Sequence, residues 1–182
     1  MELIEDLDPE EARSISDPAL QLMMDAVHCY EGKVEQSMSD GIFALFGAPI
    51  AHEEHAQREL FAAPCVQTEG KTYAEQLRWD KGVNFQIRAG VNTGEVVIRS
   101  VRKDDLHMDY VPVCYSTSLA ARREDLATPG SIVASEVTHQ QVGGYFQFKE
   151  LGAAKLKGVG ALLQIYEVLS VGALCTLLQV SA

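Results

Sequence analysis

The chain has 182 residues, 47% of them hydrophobic and 23% charged, the make-up of a soluble globular protein long enough for one real core. Its 15 Lys and Arg against 26 Asp and Glu give a net charge of −11, which argues against a nucleic-acid or anionic-membrane surface but leaves room for a local cationic pocket. Four scattered cysteines, with no CxxC pair and no secretory leader before them, point to a reduced, cytoplasmic setting.

In chain order, Asp8-Pro9-Glu10-Glu11 is a strong helix start: a capping Asp, proline at the first helical position, then acids near the positive end of the dipole. Asp17-Pro18 repeats the signal and predicts a kink or a new start there. Leu20, Met23, Met24, Val27 and Tyr30 then recur at helical spacing until Gly32 stops the run. A methionine stripe of this kind reads as core rather than as a ligand box.

Two short runs, Lys33–Met38 and Ile42–Phe46, flank Ser39-Asp40-Gly41. Asp-Gly between β-type runs is the strongest short-range signal for a tight hairpin, glycine accepting the positive φ such turns need. Asp40 at that tip has two readings: a rigidly held metal carboxylate, or a turn former with no ligand. The tripeptide alone leaves both open.

Ala51–Ala63 predicts a second helix, with Pro64 and Gly70 breaking what would otherwise run to Leu77. The pair in His52-Glu-Glu-His55 is spaced i, i+3, not the i, i+4 of a zinc helix, and reads as surface. Val83–Gly90 and Glu95–Val101 predict a hairpin around Asn92-Thr93-Gly94. Met108–Val113 reads as a strand, Ser116–Leu126 as a helix, Ser131–Ala134 as a strand after the turn Thr128-Pro129-Gly130, Glu136–Val142 as a short helix, and Tyr145–Leu151 and Leu163–Leu169 as closing strands. Helices interleaved with hairpins predict an α+β sandwich, with helices on one sheet. The uncharged stretch 168–182 is shorter than the ~20 residues a membrane span needs, and residues 170–182 read as a tail or linker.

Five segments carry a resemblance: SDGIFALFGAP (39–49), IRAGVNTGEVV (87–97), HMDYVPVCYSTSLAARRE (107–124), ATPGSIVAS (127–135) and KLKGVGALLQIYEV (155–168). In this order and spacing, they resemble the catalytic domain of class III adenylyl/guanylyl cyclases over residues 1–169. The similarity is closest to bacterial multidomain proteins whose cyclase-homology domain precedes an ATPase domain and helical repeats. The fold implied is ferredoxin-like, a βαββαβ-type antiparallel sheet with helices packed on it, here lacking the opening strand.

The implied reaction converts ATP, or GTP, to a 3′,5′-cyclic nucleotide and pyrophosphate in signal transduction, within a homodimer. It uses two Mg²⁺ or Mn²⁺ ions held by two aspartates on neighbouring strands. The second aspartate falls on Asp40. The first belongs to an opening strand resembling F-x-D-x-x-G, and MELIEDLDPEEA matches only from after it; Asp6 and Asp8 fall in the helix-start region. The resemblance assigns the purine contacts to Gln36 and Val111, where the family has lysine and Asp or Thr. It assigns the transition-state asparagine to Ser118, the phosphate-stabilising arginine to Arg122 and the triphosphate lysine to Lys157. Arg122 also reads as a solvated helix arginine and Lys157 as a surface lysine, but the aligned motifs favour the phosphate roles, cations aimed at phosphate being the usual device. Ser39 and Cys114 replace family glycines close to substrate, where a side chain is a steric liability. Three functions compete: a working cyclase, a catalytically silent regulatory or dimerisation module, and a generic acidic scaffold.

Overall fold

The computed structural model describes residues 8–48, 50–104, 107–112, 127–155 and 162–172. Its first helix, α1 (Pro9–Cys29), opens as its sequence dictates: the Asp8 carboxylate accepts from the Glu10 N–H at 3.0 Å, and Glu10 and Glu11 occupy the first turn. The helix runs through Pro18 without a restart. Ser14 and Pro18 both lie on the exposed side, where the carbonyl left without its donor can turn to water. Ile15, Ala19, Met23 and Ala26 on the opposite side are buried and hold the two halves in line. After the helix Glu31, not Gly32, takes the left-handed conformation (φ 60°). Gly32 serves close approach instead: a Cβ there would lie 2.6 Å from the Phe46 ring.

β1 (Lys33–Ser37) and β2 (Ile42–Leu45) form the expected hairpin, with Ser37 opposite Ile42 and a bulge between Val34 and Gln36. The positive φ expected of Gly41 is not present. Four residues lie between the paired ends, and the Met38 N–H donates to the Gly41 carbonyl at 2.8 Å, so the longer loop closes without a left-handed residue.

α2 (His55–Lys81) corrects a second expectation, since it continues through both Pro64 and Gly70 and stops only at Gly82 (φ 69°). Packing overrides propensity here. Leu60 and Ala63 are buried before Pro64, and Val66 and Leu77 after it. The Gln67 amide donates to the Ile87 carbonyl at 2.7 Å. Gly70 admits the Ile87 side chain, whose Cδ1 would lie 2.6 Å from a Cβ at that position.

The expected hairpin around residues 92–94 is also absent. β3 (Ala89–Val91) pairs in parallel with β6 (Ile132–Ser135), while β4 (Ile98–Asp104) pairs with β5 (His107–Pro112) in a separate ribbon. The strand expected at 108–113 is thus the second arm of a different hairpin. After β6 come α3 (Glu136–Gln141), capped by the Ser135 hydroxyl, and the long pair β7 (Phe146–Lys155) and β8 (Leu162–Val171). The main sheet has the order β3-β6-β8-β7, with β6 antiparallel to β8 and β8 antiparallel to β7. The helix expected at 116–126 lies outside the described residues.

The result is an α+β architecture with two cores. One cluster joins α2 to the main sheet through Leu60, Ala63, Val91, Ile132 and Phe146. The other joins α1, α2 and the 83–87 segment through Ile15, Met23, Val66, Leu77 and Ile87, with Ile42 of β2 against it. One helix therefore holds both the β1–β2 ribbon and the main sheet, yet among the described residues the two are not hydrogen-bonded to each other.

Candidate functional site

The hairpin tip presents Ser39 and Asp40 to solvent. Their inner neighbours are Ser16, Ala19, Leu20 and Met23 of α1, with Phe85 behind. This setting supplies one carboxylate, two hydroxyls and an apolar wall. A two-ion centre needs several hard oxygen donors, carboxylates above all, converging from more than one element. Among the described residues no group of three His, Cys, Asp or Glu could hold a metal ion. Among the described residues, the donors around Asp40 therefore do not fit the pair of Mg²⁺ or Mn²⁺ ions implied by the resemblance, and Asp8 is occupied as the α1 cap.

Gln36 lies exposed on β1 opposite Phe43. Val111 is on β5 opposite Arg99, and β5 runs beside β1, so the fold brings together the two strands given to purine contacts. Ser118, Arg122 and Lys157 lie outside the described residues. His52 is exposed and His55 is half-buried, its Nδ1 2.6 Å from the His52 carbonyl oxygen.

A second feature was not anticipated. Between β2 and the turn that follows β3 lies a small cleft of about 50 Å³. His55 and Glu59 of α2 line it, with Phe43 and Phe46 on one side and Asn92 and Thr93 on the other. Burial pushes the Glu59 carboxyl up to about 8, partly offset by a hydrogen bond from the Asn92 backbone N–H. A signal for it existed in sequence: Glu59 falls in the stripe Ala56, Leu60, Ala63 that α2 turns to the core, a place where a charged residue rarely sits.

The wall opposite β2 is fixed by buried hydroxyls. Thr138 is fully enclosed; its Oγ1 accepts from the Thr93 N–H at 2.9 Å and meets the Thr93 and Ser135 hydroxyls at 3.0 and 2.8 Å. The network ties the turn after β3 to the start of α3. Thr138→Val keeps the shape but strands three polar groups, and a loss of about 3 kcal/mol is expected from their desolvation, measured by urea unfolding. Thr138→Ser retains the hydroxyl and is expected to lose less than half of that.

Residues 19–169 match the family model of the adenylate and guanylate cyclase catalytic domain, so the chain belongs to that family. It is 29% identical over 167 residues to adenylate cyclase 1 of Rhizobium meliloti, covering 90% of this chain and only 25% of that protein. Among solved structures it is similar to the adenylyl cyclase CyaB of P. aeruginosa (TM-score 0.85, 24% identity, 93% of this chain and 87% of that one). It is equally similar to the guanylyl cyclase Cya2 (TM-score 0.85, 26% identity, 94% and 86%). Among the described residues no helix is long and apolar enough to cross a membrane.

Proposed function

We propose that this polypeptide is a class III nucleotidyl cyclase domain whose own residues do not complete the metal centre, so that by itself it acts as a silent cyclase-homology module for regulation or dimerisation. The observation that supports this reading is the surroundings of Asp40 on its exposed hairpin tip: among the described residues its neighbours are the apolar side of α1 and two serines, with no second carboxylate. The family reaction, ATP or GTP to a cyclic nucleotide and pyrophosphate, belongs to the assembly in which that carboxylate is supplied. Relatives named as adenylyl and as guanylyl cyclases support either purine equally. Exposed Gln36 offers both a donor and an acceptor to a base edge and does not choose between them. The fit of this chain to a quarter of a longer relative supports a role inside a larger protein; ATPase and helical-repeat partners and a cytoplasmic setting are part of this reading on the resemblance alone.

A direct test is Mn²⁺ binding followed by calorimetry. With Asp40 adding little to the background of other surface carboxylates, only millimolar affinity is expected, unchanged within a factor of about two by Asp40→Asn. Micromolar binding that Asp40→Asn abolishes would show a complete site and overturn the proposal.

A further inference from the structure

The two long helices run antiparallel, and four contacts fix their register. Lys81 Nζ donates to Ser14 Oγ at 2.8 Å, and the Tyr73 hydroxyl donates to the Ile15 carbonyl at 2.9 Å. Near the other end the Tyr30 ring stacks on Phe61 with centroids 6.1 Å apart, and Glu31 pairs with Arg58. Carried along helices that rise about 1.5 Å per residue, this register sets Cys29, the last residue of α1, against the turn of α2 from Phe61 to Cys65. The side chains agree with it. Ala26, one turn before Cys29, is buried in the same cluster as Val66, and Cys65 packs against that cluster from its margin. Both cysteines are free thiols, Cys29 exposed and Cys65 half-buried.

We propose that Cys29 and Cys65 form a hydroperoxide-sensitive thiol pair, Cys29 taking the oxidant and Cys65 closing a disulfide that ties α1 to α2 around the hairpin of Asp40. The order of events follows from the surroundings. The Cys65 thiol donates to Glu69 Oε1 at 3.8 Å. Burial first, then that carboxylate and the neighbouring Cys29, push the thiol up, so Cys65 stays protonated while Cys29 stands open to solvent. In the first step the Cys29 thiolate attacks an oxygen of the hydroperoxide, the O–O bond breaks, and a sulfenic acid forms; the departing alkoxide or hydroxide takes a proton from solvent. In the second, Cys65 passes its proton to Glu69 and its sulfur attacks the Cys29 sulfur, expelling hydroxide that recovers the proton as water. Two thiols have then lost two electrons to one hydroperoxide. The chain between the two cysteines contains the whole β1–β2 ribbon, with Gln36 and Asp40. Among the described residues that ribbon is hydrogen-bonded to no other sheet, so a bridge at its base restricts it. The inference stands whether or not the domain turns over nucleotide.

The test is treatment of the reduced full chain with hydrogen peroxide at neutral pH, followed by thiol blocking, trypsin digestion and mass spectrometry. One crosslinked pair of peptides is expected, residues 14–33 with 59–71, and dithiothreitol should separate it. Cys114→Ser combined with Cys175→Ser should leave that pair in place. In Cys65→Ser the Cys29 sulfenic acid has no resolving thiol, so its labelling by dimedone should rise at least about tenfold over the unsubstituted chain. Hydrogen exchange at the amides of 33–45 should slow on oxidation and recover with dithiothreitol. A crosslink of either cysteine to Cys114, to Cys175 or to a second chain overturns the proposal. So do the absence of the 14–33 with 59–71 pair, equal dimedone labelling in Cys65→Ser, and exchange at 33–45 that is the same in both redox states.

Discussion

Glu59→Gln is expected to stabilise the protein, by roughly 3 kcal/mol at pH 7 and roughly 5 kcal/mol at pH 9, with no gain below pH 4.5. The sign follows from the direction of the shift. Burial raises the folded-state value from 4.5 to about 8, so the unfolded chain gives up its proton first. Below pH 4.5 both states carry the proton and Glu59 costs nothing by ionising. Between pH 4.5 and 8 the folded state must either hold a proton that solution would remove or bury a charge, and stability declines with each unit. Above 8 the penalty is complete and constant. Glutamine presents the same oxygen to the Asn92 N–H and never ionises, so the difference between the two proteins isolates this one group. Urea unfolding of both from pH 4 to 9 reads it out. Curves that stay parallel across that range would show the carboxyl to be hydrated in the folded state.

Leu60→Ala is expected to cost about 3 kcal/mol in the same measurement. Leu60 is wholly enclosed on the side of α2 that meets Val91, Ile132 and Phe146, so truncation leaves a void among β-sheet side chains with little freedom to collapse. The effect should appear in one transition, because α2 belongs to both cores and, among the described residues, no other helix is shared by the ribbon and the main sheet. Trp79 on the same helix provides the contrast. It is 90% exposed, and Trp79→Ala is expected to change stability by no more than about 0.5 kcal/mol. A Leu60→Ala loss as small as that would mean that α2 does not organise the fold.

Local chemistry made much of this structure readable in the sequence. The Asp8 cap, the hairpin at 38–41 and the strand–helix–strand run from β6 to β8 rest on neighbours a few residues apart, where capping, turn and alternation rules operate. The misses share a cause. Pro18, Pro64 and Gly70 obey local propensity in a free peptide, but here distant side chains hold the helix through them, Ile87 reaching into the space that Gly70 leaves. The segment 83–101 looked like a hairpin because its turn residues fit one, whereas β3 found its partner some forty residues later in β6. Pairing across such a distance leaves no local mark. Of the candidate site, Asp40 and Gln36 lie on one hairpin, and the strand of Val111 comes near it. The acid in the core-facing stripe of α2 is visible in the sequence, but only the closing of β2 and the 92–96 turn around Glu59 gives it meaning.

The central claim is that Asp40 marks a cyclase-family domain whose catalytic carboxylates are not complete within this polypeptide. The purified chain, incubated with Mn²⁺ and either ATP or GTP, is the most direct test, with Asp40→Ala as its control and cyclic nucleotide quantified by mass spectrometry. The account predicts no cyclic AMP or cyclic GMP above the control. Cyclic nucleotide that forms with the chain alone and disappears in Asp40→Ala would contradict it.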